Sequence, residues 1–87
     1  KTGMVLSSSA VMLSLPEKVN AESAYFYFDR AYEKADKGDH YGAISDYTKA
    51  IELDPKNVYS YHNRGVSREI LGKCYEAISD YIKAIEI

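Results

Sequence analysis

Few residues in this chain could do covalent chemistry. His40 and His62 stand alone, with no serine or cysteine at a spacing that would make a triad. Cys74 is the single cysteine, which excludes an internal disulfide and a cysteine-based zinc site. It falls at the start of an expected helix, where a thiol pKa is lowered, yet a lone thiol in a turn is most simply inert packing. No glycine-rich phosphate loop or HExxH motif is present. The sequence therefore points to no catalytic residue, no metal site and no cofactor, and the chain is read as a non-enzyme. The charged residues that do recur in register are Arg30 with Lys34 and Arg64 with Arg68, matched by Asp46 and Asp80. Either they form a basic site repeated along the molecule, or their stems cover a helix seam while the charged heads pair with the two aspartates. The joint recurrence of charge and countercharge favours pairing.

The recurrence itself is the organising feature. Residues 43–52, AISDYTKAIE, return at 77–86 as AISDYIKAIE, 34 residues later. Over residues 25–53 against 59–87, 14 of 29 pairs are identical, which makes the chain a repeat array. Its 87 residues allow one small domain or a piece of a larger one. A net charge of −2 with interspersed signs leaves no basic stripe for phosphates, so no nucleic-acid partner is expected. Nine tyrosines without tryptophan imply a core built partly from phenol rings, whose hydroxyls need water or a partner.

From Ser23 the apolar spacing is helical. Ser23 is expected to cap a first helix to about Lys37, with Gly38 ending it. Asp39 then caps a second helix to about Leu53, which Asp54-Pro55 closes. Asn57 and Gly72 occupy the equivalent places one period later. The second pair is expected over Val58–Leu71 and from Cys74 to the end. Short loops make each pair antiparallel. The predicted fold is all-α: two stacked antiparallel helical hairpins, about 24–57 and 58–87, preceded by a non-repeat segment. In each hairpin a small residue faces a small residue, Ala31 with Ala43 and Gly65 with Ala77, letting the helices approach closely.

These residues resemble the tetratricopeptide repeat family. Tyr27, Ala31, Ala43, Tyr47 and Pro55 stand at its landmarks in the first repeat, and Tyr61, Gly65, Ala77 and Tyr81 in the second; Ala50 and Ala84 fit a further small position. The resemblance covers residues 23–87 and implies a solenoid scaffold for protein or peptide partners. It also implies that the first helix of each hairpin lines a concave surface. Tyr25, Phe28 and Tyr32 share a helical face, and Tyr59, His62 and Val66 the equivalent one, with Asn63, Asp36 and Glu69 at its edges. The expected partner-binding groove is thus Tyr25, Phe28, Tyr32, Tyr59, His62, Asn63 and Val66. The family's clamp for an acidic chaperone tail needs lysine and asparagine where this chain has Phe28 and Tyr32; only Asn63 matches. Arg30, Lys34, Arg64 and Arg68 depart from the leucine and tyrosine usual there. Tyr41 and Tyr75 depart too, sitting two residues before the second-helix alanine rather than three.

Two further expectations concern the ends. Residues 1–21 carry an apolar, serine-dotted run closing on Val19-Asn20-Ala21. They read as a signal peptide that would export the protein, or as a structural arm on a cytoplasmic one. Any membrane contact would come through that segment alone. At the other end, an apolar surface near Ile87 suggests an alternative role, a self-assembling or stacking unit of a longer solenoid, with homo-oligomers as one outcome.

Overall fold

The computed structural model describes residues 17–87, in which four helices and no strands are found. They are α1 (Glu17–Asp36), α2 (His40–Leu53), α3 (Val58–Ile70) and α4 (Cys74–Glu86). α1 packs on α2 and α3 on α4 as two hairpins, and α3 lies against α2, with slight contact between α1 and α3. The predicted all-α stack of two hairpins is the fold of the described chain.

The connections follow from their residues. Gly38 and Gly72 adopt φ of +87° and +80°, the left-handed conformation that stops a helix without a Cβ penalty. Around each, the backbone closes alike: Asp39 N–H reaches the Lys34 carbonyl at 2.8 Å, and Lys73 N–H reaches that of Arg68 at 2.8 Å. The Asp39 carboxylate caps α2 by accepting from Gly42 N–H at 2.9 Å. The Asn57 side chain caps α3 by accepting from Tyr59 N–H at 3.0 Å. α4 has Lys73 in Asp39's place and no side-chain cap.

One boundary differs from expectation. α1 begins at Glu17, so Ser23 lies inside the helix and caps nothing. Glu17, Lys18, Ala21 and Glu22 favour a helix, and nothing between them and Ser23 interrupts it. The helix thus runs through position 21. The remainder of the expected signal peptide or arm, residues 1–16, lies outside the described residues.

The core sits at the small-residue seam. Ala31, Ala43 and Tyr47 form a fully buried cluster, with Phe28 and Ala35 packed on it. In the second hairpin Gly65 makes room for a ring: a Cβ there would stand 2.7 Å from Cε1 of Tyr81. Each hairpin also buries one carboxylate. Asp46 accepts from Arg30 Nε at 2.8 Å and Nη2 at 2.9 Å, and pairs with Lys34 at 3.0 Å. Asp80 accepts from Arg64 Nε at 3.0 Å and Nη2 at 2.7 Å, and from Arg68 at 2.8 Å. The recurring cations are therefore consumed at the seams. They form no basic site.

Candidate functional site

The positions expected to face a groove are placed by the seam. In α1, Ala31 and Arg30 point toward α2, which turns Tyr25 and Tyr32 away from it, 67% and 58% exposed. In α3, Arg64 points to Asp80, and Tyr59 stands 70% exposed. Thus a single helix carries a structural face and an open aromatic face, set apart by helical geometry alone.

The predicted residues do not all meet. Tyr32, Asn63 and Val66 converge on a depression of about 240 Å³ between the hairpins, joined by Asp36, His40 and Ile70. Tyr47 forms part of its floor. Burial pushes the Tyr47 hydroxyl pKa up, and the Asn63 side chain facing it acts in the opposite direction. His40 Nδ1 lies 3.1 Å from Ser67 Oγ, tying the start of α2 to α3 across the hairpin junction. Tyr59 and His62 instead line a second depression with Val58, Tyr81, Ala84 and Ile85, at the end of the stack. Tyr25 lies in neither. Phe28 is half-buried, its ring meeting Tyr47 edge-on at 5.7 Å, so it belongs to the core as much as to the surface.

Sequence reasoning missed Ile70 and His40. Ile70 lies one turn beyond Val66 on the same wheel face, so the periodicity could have found it. Nothing local marks His40, whose role depends on Ser67, 27 residues away.

The seam electrostatics are settled by the pairs themselves. The hydrogen bond from Arg30 holds the Asp46 carboxyl below its ordinary range, with Lys34 adding to it against the opposing effect of burial. The Tyr81 hydroxyl donates to Glu69 at 2.7 Å; partial burial and that bond push its pKa up to about 12. Among the described residues no cluster of three or more His, Cys, Asp or Glu could hold a metal, and no helix is long and apolar enough to cross a membrane. Cys74 is free and exposed.

Residues 31–69 match the family model described as TPR repeat, spanning the last six residues of α1, all of α2 and nearly all of α3. That match takes in the seam residues Ala31, Ala43 and Gly65 already described and ends before α4. The chain belongs to the tetratricopeptide repeat family. Comparison with curated proteins returns no match. As a tetratricopeptide repeat protein it carries the architecture of a family of protein–protein interaction scaffolds. The family is in general non-enzymatic.

Proposed function

We propose that the chain binds a partner peptide or protein across the exposed face of α1 and α3, centred on the depression lined by Tyr32, Asn63 and Val66. The observation that carries this reading is the separation of faces: cations and small residues are spent at the seams, while tyrosines of the same helices stand open. Large rings exposed beside an apolar depression are what a binding surface needs, since each loses little entropy and buries much area. Tyr25 and Tyr59 extend that surface on either side, Phe28 supports it from below, and His62 sits at its outer edge. Peptides selected by display against the 87-residue chain test the site. They are expected to shift the amide NMR signals of Tyr32, Asn63 and Val66. Val66→Asp should weaken them about tenfold, or about 1.4 kcal/mol. Shifts confined to the outer faces of α2 and α4 would sink the reading.

A second reading rests on comparing the hairpins. Ala24, Tyr47 and Ala50 of the first are buried, whereas at the positions one period on, Val58 is 37% exposed and Tyr81 and Ala84 are only half-buried. Ile82 and Ile85 beside them are 50% and 84% exposed. This supports an apolar stacking surface at the α3–α4 end, for a further helical unit or a second copy. Export through residues 1–21 also stands as a proposal; a mature protein that still carries Lys1–Ala21 would refute it.

A further inference from the structure

We propose that the groove selects cationic peptides: a lysine or arginine seated on the α1 side, with a nearby apolar side chain seated over α3. The inference rests on the groove reading above and names its partner's chemistry.

Charge in the groove is one-sided. Beyond Lys18 in the first turn of α1, the basic residues of α1 and α3 are Arg30, Lys34, Arg64 and Arg68, and these four are bound to Asp46 or Asp80 on the opposite side of their helices. No lysine or arginine lines either depression. The carboxylates of the open face have no such partners. Asp29 follows exposed Tyr25 by one turn and Asp36 follows exposed Tyr32 by one turn, both solvent-exposed and neither in a salt bridge among the described residues. A carboxylate and a phenol ring one turn apart offer a cation both charge and a π face.

The equivalent positions one period later remove the charge and keep the apolar character. Asp29 becomes Asn63, Tyr32 becomes Val66, and Asp36 becomes Ile70, 59% exposed. The groove is therefore graded, acidic and aromatic over α1 and apolar over α3. Packed helix axes lie about 8–10 Å apart, and α1 and α3, which touch only slightly, stand somewhat further, a span that an extended peptide crosses in about three to four residues. A cation and an apolar side chain about three positions apart would reach both halves. An acidic peptide would meet uncompensated repulsion at Asp29 and Asp36, with no cation in the groove to offset it.

The test is the composition of random peptides enriched on the full 87-residue chain. Lysine or arginine with an apolar residue about two to four positions away on one side is expected. Binding of a selected peptide should weaken at least fivefold on replacing its cation by glutamine, and similarly with Asp29→Asn/Asp36→Asn. It should also weaken as salt rises from about 50 to 300 mM. Both substitutions are at exposed positions, and circular dichroism checks that the fold is kept. Acidic or uncharged peptides that still depend on Val66 would overturn the cation proposal and leave the groove reading standing. Basic peptides indifferent to Asp29 and Asp36 would overturn it too. Peptides indifferent to Val66→Asp, or no enrichment, would overturn both.

Discussion

Asp46 and Asp80 make the same bidentate contact with arginine yet differ in what surrounds it. The side chains paired with Asp46 are 46% and 36% exposed, those paired with Asp80 only 14% and 20%. Removing a carboxylate strands its cations, and the cost depends on whether they can rehydrate. Asp80→Ala is expected to destabilise by about 3 kcal/mol and Asp46→Ala by about 1 kcal/mol. Both substitutions gain the same helix propensity, so the difference in urea midpoint isolates the burial of the pair. Equal losses would mean that solvent screens both pairs alike. Tyr81 gives a pH signature at the opposite end of the scale. Its folded pKa, about 12, lies above the ordinary phenol value of about 10. The protonated phenol is thus favoured by the fold; its contribution is complete below about pH 10 and is lost as pH rises through 12. Unfolding followed from pH 9 to 12 should show that loss, and Tyr81→Phe should remove this component.

At the scale of the helix, the alanine seam sets how near α1 and α2 can come. Ala43 is wholly buried against Ala31 and Tyr47, so Ala43→Leu must push the helices apart or force an unfavourable rotamer. A loss of about 1–3 kcal/mol is expected in thermal or urea unfolding, with helix content below the transition unchanged. Three of the four helices could be read from the sequence to within a residue, because each has a local stop or start: Gly38 and Gly72, Asp39 and Asn57, Asp54-Pro55. The start of α1 could not. Ser23 is a plausible cap by type and register, but nothing before it breaks the helix, and the chain stays helical back to Glu17. The ion pairs were legible because charge and countercharge recur at one period. The division of the expected groove into two depressions was not, since wheel angles give the face of a helix and leave open where the next hairpin closes over it.

For the molecule as a whole, the two ends of the stack are unlike. Ile82 stands where the first hairpin has Thr48, whose hydroxyl accepts from Arg64 at 3.0 Å across the hairpin junction. The α3–α4 end is therefore more apolar than the junction inside the molecule and lacks its hydrogen-bond acceptor. α3 meets α2 through a face of small residues: Ser67 contacts His40, and Ser60, two turns back on the same face, is fully buried. One period earlier, α1 carries Phe26 and Glu33 at those places. A copy adding head-to-tail would have to fit a phenyl ring where the internal junction fits serine. Any self-association should thus close as a dimer through α4 and stop there. Light scattering across a concentration series should show monomer and dimer, shifted to monomer by Ile85→Asp. Masses that keep growing with concentration would contradict the two-fold closure.

The two copies of the unit have not drifted evenly. Between residues 40–52 and 74–86, on α2 and α4, 10 of 13 aligned residues are identical, whereas residues 24–36 and 58–70, on α1 and α3, share only 3 of 13: Tyr25/Tyr59, Tyr27/Tyr61 and Arg30/Arg64. Two of those three touch the seam. A helix tied to its partner through Arg30 or Arg64 on one side keeps its other side available for change, because substitutions there leave the aspartate anchor intact. The buried ion pair thus works as insulation between two kinds of mutation. Folding constrains one face, and the open face can be rewritten one hairpin at a time.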